Sequence, residues 1–155
     1  MIFLTVGTQI PFDRLLRMMD EAMDQLPAGE EVVAQSCGGE YTPVHFRTVG
    51  FIAPAEFERL MQRSDLVVAH AGIGTILSAI ERRKPLVVVP RLASLGEHRN
   101  DHQQATADYM ARQVGLSVAT DTPSLLHAIK TAQPPHASLQ PANSLINALR
   151  KAIDL

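Results

Sequence analysis

Two glycine turns and one polar loop hold the residues of this chain that could do chemistry. The turns are Gly7-Thr8-Gln9 and His70-Ala71-Gly72-Ile73-Gly74-Thr75, and the loop from Arg91 to Gln104 carries Glu97, His98, Asp101, His102, Gln103 and Gln104. The second turn follows the apolar run Leu66-Val67-Val68-Ala69 and leads into Ile73, Ile76, Leu77 and Ile80 at helical spacing. A strand, a tight turn and a helix in that order leave unpaired N–H groups at the positive end of a helix dipole. A phosphate can sit there. The same residues also suit a plain strand-to-helix turn in which glycine is used for steric reasons.

Other chemistries fit the sequence poorly. A dinucleotide fingerprint wants G-x-G-x-x-G after the first strand and an acid roughly 20 residues on. Here the first turn reads Gly7-Thr8-Gln9-Ile10-Pro11, and Gly72-Ile73-Gly74 has Leu77 where a third glycine belongs. No G-x-x-x-x-G-K-[ST] loop occurs, which excludes a P-loop nucleotidase. His98 and His102 are spaced like helix neighbours, but nothing completes a metal-ligand pattern, so no metal or cofactor is expected. No G-x-S-x-G elbow presents a serine nucleophile. The single cysteine, Cys37, has no neighbour that would lower its pKa and reads as a small packing residue in a reducing cytoplasm.

The elements that must position these turns can be read in order. Ile2 to Val6 is a buried strand, followed by helical spacing from Phe12 to Leu26 with Pro11 in its first turn. Strands are expected at Glu31–Ser36 and His45–Val49, and a helix opened by Pro54 at Phe57, Leu60 and Met61. After the Leu66 strand and its helix, Lys84-Pro85 precedes the strand Leu86–Val89. A helix over Asp101–Gln113 with Ala105, Tyr109 and Met110 inward, a strand at Leu116–Ala119 and a helix capped by Thr122 complete residues 1–133. Residues 134–142, beginning Pro134-Pro135, read as a linker. Residues 143–155 read as an amphipathic helix with Leu145, Ile146, Leu149, Ala152 and Ile153 on one stripe.

The alternation of strand and helix predicts an α/β fold: a single Rossmann-like domain with a parallel sheet of about six strands flanked by helices. Composition agrees. The 155 residues are 46% hydrophobic and 19% charged, with no tryptophan, which suits an aliphatic core. A net charge of −2 draws the chain neither to nucleic acid nor to anionic lipid. Met1 to Val6 is too short for a signal peptide, and no apolar run approaches the length of a membrane span. In an open parallel sheet, ligands bind beyond the carboxyl ends of the strands. That rule puts both glycine turns and the Arg91–Gln104 loop on one edge, where together they suit a nucleotide-sugar.

At His70-Ala71-Gly72-Ile73-Gly74-Thr75, Lys84-Pro85-Leu86-Val87-Val88-Val89-Pro90, Glu97-His98 and Asp101-His102-Gln103-Gln104 the sequence resembles the C-terminal, donor-binding domain of glycosyltransferase family 28, one half of a GT-B fold. The likeness is greatest to small subunits of two-component UDP-sugar transferases, of the dolichol pathway and of bacterial exopolysaccharide synthesis, some of which also open with a strand and a Val-Gly-Thr turn. The resemblance implies that Gly7 and Thr8 face the diphosphate and acceptor side, and that His70, Gly72, Gly74 and Thr75 hold the donor diphosphate. It implies that Gln103 and Gln104 read sugar hydroxyls and that Glu97 and His98 line the donor pocket. Relatives often carry an acid for the ribose three residues beyond the Thr75 position. Here that residue is Ser78, and Glu81, one turn on, is either its substitute or a solvated surface acid.

The resemblance further implies an inverting transfer from a UDP-sugar to a lipid-linked acceptor, aided by a membrane-associated partner subunit that carries the acceptor site. No residue here is a convincing general base, and His98 is the sole candidate. The stripe of the last helix either docks that partner or packs on the domain's own sheet. The alternative is a non-catalytic binding or stabilising subunit of such a complex. The expected location is the cytoplasm, with recruitment to the inner face of the membrane through the partner.

Overall fold

The computed structural model describes residues 1–136 together with residues 144, 147, 148, 150 and 151. Six strands form one sheet: β1 (Ile2–Thr5), β2 (Val32–Gln35), β3 (Thr48–Val49), β4 (Leu66–His70), β5 (Leu86–Val89) and β6 (Ser117–Val118). Within residues 1–136, α1 (Asp13–Met23), α2 (Pro54–Arg63), α3 (Ile73–Glu81) and α4 (His102–Val114) lie between strands, and α5 (Thr122–Thr131) follows β6. Every strand pair is parallel and the order is β3-β2-β1-β4-β5-β6. The order therefore reverses between β1 and β4, the kind of switch point beside which α/β sheets bind ligands.

Register explains why residues 2–4 of β1, 66–69 of β4 and 86–89 of β5 are continuously apolar. Phe3 pairs with Val67 and Val67 with Leu86; one step along, Leu4 pairs with Val68 and Val68 with Val87. Alternation sends Leu4, Val68 and Val87 to the face covered by Leu15, Leu16 and Met19 of α1 and Leu125 of α5. Phe3, Val67, Leu86 and Val88 face the opposite layer, formed by α2, α3 and α4. There Phe3 meets Phe57 edge to face, with ring centroids 5.4 Å apart.

The fold differs from the sequence expectations at several ends. Helix α1 begins at Asp13 rather than around Pro11, because Phe12 is extended at φ −142° and Pro11 lies outside the helix. The third strand shrinks to Thr48–Val49, since the N–H groups of Val44 and His45 donate to the buried Asp20 carboxylate instead of to a sheet neighbour. In α4 Ala105 is exposed, and Thr106, Ala107 and Met110 point inward. Asp121, not Thr122, caps α5, accepting from Ser124 N–H while the Ser124 hydroxyl accepts from Asp121 N–H. Cys37 is half-buried and takes a positive φ of 53°.

The first residues of the expected linker are anchored. Pro135 is buried, and His136 N–H donates to the Val114 carbonyl at 2.9 Å, at the C-terminal end of α4. The apolar stripe Leu145, Ile146, Leu149, Ala152 and Ile153, and most of the expected linker, lie outside the described residues. Among the described residues no helix is long and apolar enough to cross a membrane.

Candidate functional site

A cleft of about 860 Å³ opens at the carboxyl ends of β1, β4 and β5. One wall is the start of α3. Gly72 is its N-cap and no side chain caps it, so the first-turn N–H groups of Ile73, Gly74 and Thr75 are left without intrahelical partners. The facing wall is the turn after β1. Gly7 adopts φ +84°, which glycine tolerates without strain, and its N–H donates to the Thr5 hydroxyl at 3.2 Å. Thr5 in turn donates to Gln35 Oε1 at 2.7 Å, so the floor below the turn is a satisfied buried pair.

His70 ends β4 between these walls. A Cβ on Gly7 would lie 2.8 Å from its Cε1, and a Cβ on Gly72 would strike its Nε2. Glycine at both positions thus makes room for one imidazole. Burial, reinforced by the nearby Arg91 guanidinium, depresses the His70 pKa to about 4, although the Thr5 carbonyl favours the charged form. The ring is neutral at physiological pH, and its buried Nδ1 has no hydrogen-bond partner.

Arg91, the residue after Pro90, is the structural centre that the sequence reading overlooked. It is 2% exposed and clamps the β1–α1 loop by donating to the carbonyls of Val6 (3.0 Å), Ile10 (2.5 Å) and Pro11 (2.6 Å). Its guanidinium also lies 4.5 Å from the centre of the Phe12 ring. Its backbone N–H donates to Gln103 Oε1 at 3.0 Å, which turns the Gln103 amide N–H₂ away from that bond. Gln103, Glu58, Ser78 and Phe51 all line the cleft. An arginine directly beyond an apolar strand, at the ligand edge, was the available signal for Arg91.

Of the residues singled out from sequence, Gly7, Thr8, His70, Gly72, Gly74, Thr75, His98 and Gln103 come together in this cleft. Three others do not line it. Glu97 pairs with Arg14, at 2.6 Å to Nε and 2.9 Å to Nη2, and accepts from Leu92 N–H, so it ties the loop to α1. Gln104 donates to Asp108 on the outer side of α4. Glu81 is exposed at the end of α3, 3.7 Å from Arg82. His98 Nδ1 lies 3.1 Å from Asn100 Oδ1, to which it donates.

A six-stranded parallel sheet with helices on both faces and a polar cleft at its switch point defines a GT-B-like Rossmann domain. The chain matches the glycosyltransferase family 28 C-terminal domain over residues 1–155 and belongs to that family. Over 106 residues it is 33% identical to the mouse UDP-N-acetylglucosamine transferase subunit ALG13, a stretch covering 63% of this chain and 9% of that protein. The chain thus spans only a small part of that curated relative. The NMR solution structure of ALG13 superposes with a TM-score of 0.66 at 18% identity, covering 99% of this chain and 96% of that one, a likeness of fold. The Streptomyces sp. SF2575 glycosyltransferase SsfS6, complexed with thymidine diphosphate, matches at 25% identity and a TM-score of 0.54, over 99% of this chain and 36% of that one.

Proposed function

We propose that this chain is the donor-binding subunit of a two-subunit inverting glycosyltransferase that moves sugar from a UDP-sugar to a lipid-linked acceptor in polysaccharide synthesis. The observation that carries the reading is the placement of the free N–H groups of Ile73, Gly74 and Thr75 opposite the Gly7–Thr8 turn, across one cleft. That arrangement meets the charge of a diphosphate with fixed dipoles. Family membership, the name of the mouse relative and the thymidine diphosphate held by SsfS6 support a nucleotide-sugar as ligand.

In this reading an acceptor hydroxyl attacks the anomeric carbon, the bond from that carbon to the diphosphate oxygen breaks, and the hydroxyl proton passes to a base on the partner. The chain's own part is to bind the donor and to stabilise charge on the leaving diphosphate. A membrane-associated partner carries the acceptor site and brings the chain to the inner face of the membrane.

One observation favours a second reading, a binding or stabilising subunit that takes no part in the chemistry. Among the described residues that line the cleft, every acid–base group is already engaged or held neutral: burial keeps His70 neutral, His98 bonds Asn100 and Glu58 pairs with Arg82. The two readings separate in a single experiment. Calorimetry with UDP and UDP-N-acetylglucosamine on the isolated chain reads donor binding, and sugar transfer by the chain reconstituted with its partner reads the reaction. Donor binding, with transfer lost in His70→Ala and Gln103→Ala, supports the first reading. No nucleotide affinity, with transfer intact in both variants, supports the second.

A further inference from the structure

We propose that the segment between β2 and β3 is a pH-sensitive strap. With the His45 ring charged, the strap is locked onto α1 and backs the Gly7–Thr8 wall of the cleft; loss of that proton loosens the wall and weakens nucleotide binding. The coupling to binding rests on the donor-binding reading above.

The strap, residues 36–47, starts and ends at the cleft, where Gln35 and Phe51 both contribute to the lining. In between it lies along α1. Among the described residues, each hydrogen bond that ties it there ends on an aspartate of that helix or of its C-cap. Glu40 N–H donates to Asp13 Oδ2 at 3.1 Å. The Tyr41 hydroxyl donates to Asp20 at 2.7 Å, and the N–H groups of Val44 and His45 donate to the same carboxylate at 2.9 Å each. Asp20 is buried, so this carboxylate has exchanged water for the strap.

The His45 ring decides how firmly the strap is held. Its Nδ1 lies 3.0 Å from Asp20 Oδ1 and its Nε2 3.0 Å from Asp24 Oδ1. A neutral imidazole donates from one nitrogen only, so both contacts are hydrogen bonds only in the imidazolium. In either neutral tautomer one lone pair faces a carboxylate, and the buried Asp20 loses its cationic neighbour. The charged groups facing the ring are these two aspartates. Around Asp20 stand the Tyr41 hydroxyl and the Arg17 guanidinium, the latter 4.9 Å from the centre of the Tyr41 ring. The hydrogen bond to Asp20, with the Asp24 charge, holds the His45 pKa above its ordinary value. The lock is therefore closed at mildly acidic pH and opens as pH rises through that folded value.

The strap reaches the cleft by direct packing. A side chain at Gly39 would strike Asp13 Oδ1 and stand 3.3 Å from Pro11 Cβ, so strap backbone lies against the β1–α1 loop. Arg91 holds the carbonyls of Ile10 and Pro11 in that loop, and the strap supports it beside the same Pro11. The strap's two ends are also stitched together next to Phe51, by Ser36 N–H to the Val49 carbonyl and Cys37 N–H to the Gly50 carbonyl. A loosened strap thus withdraws support from the turn that faces the phosphate-binding N–H groups and from the Phe51 lip.

The test is titration of the purified chain and of His45→Gln with UDP at about pH 5.5 and about pH 8.5. The terminal phosphate of UDP titrates in the same range, so the quantity read is the ratio of variant to wild-type Kd at each pH. That ratio is expected to be about three at the lower pH and near one at the higher. In parallel, hydrogen-exchange protection of the Val44 and His45 amides should fall with rising pH in the wild type and stay low throughout in the variant. Asp24→Asn, at an exposed position that leaves the Asp20 bonds in place, should move both transitions to lower pH. Thermal melts confirm that each variant is folded. A Kd ratio that is the same at both pH values overturns the coupling, and amide protection that ignores pH overturns the strap itself. Failure of the wild type to bind UDP at either pH removes the donor-binding reading and the coupling with it.

Discussion

The imidazole of His70 occupies the space in which a side chain at Gly72 would stand. Gly72 itself has φ −82° and ψ 129°, a conformation open to any residue. Its lack of a side chain therefore serves the neighbouring ring and not the backbone. This separates Gly72 from Gly7, whose φ of +84° demands glycine even before the ring is considered.

The first prediction follows from that difference. Gly72→Ala should fold normally, because the backbone bears no strain, but it must displace the His70 ring from its seat between the two turns. UDP affinity measured by calorimetry should drop about tenfold while thermal stability changes by less than about 1 kcal/mol. Unchanged affinity would show that the position of the ring is irrelevant to the cleft.

His70 also gives the fold a pH dependence of known sign. Its pKa of about 4 in the folded chain lies below the unperturbed value of 6.5. Between these values the unfolded chain binds a proton that the folded chain does not, so stability falls as pH drops through the window and levels off near the lower value. The contribution is at most about 3 kcal/mol. Urea denaturation at about pH 7 and about pH 4.5 should show a smaller pH effect in His70→Asn than in the wild type; equal effects would mean that the buried ring is not titrating as its environment dictates.

Much of this arrangement was legible in the sequence, for definite reasons. β4 and β5 are buried on both faces, so their apolar runs are unbroken, and the glycines of the two turns mark backbone that must come close to something. The two-residue strands Thr48–Val49 and Ser117–Val118 carry too few residues for any periodicity, and the tertiary contacts to Asp20 decide where β3 starts. Within the cleft, Gln103 and Gln104 could not both face inward, because consecutive helix residues point about 100° apart. Arg91 and Glu58 owe their places to loops and helices joined across the fold, Arg91 to carbonyls about eighty residues earlier, and no local pattern encodes such a contact.

A third prediction concerns the loop between β2 and β3. The Asp20 carboxylate accepts from Tyr41 O–H at 2.7 Å and from the N–H groups of Val44 and His45, and the His45 ring lies between Asp20 and Asp24 at 3.0 Å from each. The hydrogen bond to Asp20, aided by the Asp24 charge, raises the His45 pKa. Its support for the loop is thus complete below the unperturbed value and is lost as pH rises through the folded value. An NMR titration of the His45 ring should find a midpoint above 6.5 in the wild type that moves back toward 6.5 in Asp20→Asn. The same variant should lose about 2 kcal/mol of stability, since it weakens several charge-assisted bonds at a buried position.

Glu97 tests the separation of scaffold from site. Its carboxylate joins Arg14 of α1 to the loop after β5 and does not line the cleft. Glu97→Gln should lower stability by about 1–2 kcal/mol, because the pair is largely shielded and bidentate, and leave UDP affinity within about twofold of the wild type. A selective loss of nucleotide binding at full stability would place Glu97 back among the donor contacts.

Arg91 is expected to be the most sensitive single residue outside the apolar core. Its guanidinium answers three carbonyls of the β1–α1 loop, those of Val6, Ile10 and Pro11, while its planar face lies against Phe12. Arg91→Met keeps much of the volume but leaves those carbonyls without their donor, and the Gly7–Thr8 turn loses what fixes it against β5. A loss of about 3 kcal/mol in chemical denaturation is expected, together with weaker UDP binding because one wall of the cleft is released. Arg91→Lys should rescue little, since a single ammonium cannot reproduce the fork that spans the three acceptors. Full stability in the lysine variant would mean that charge alone holds the loop, and the geometric account of this residue would have to be abandoned.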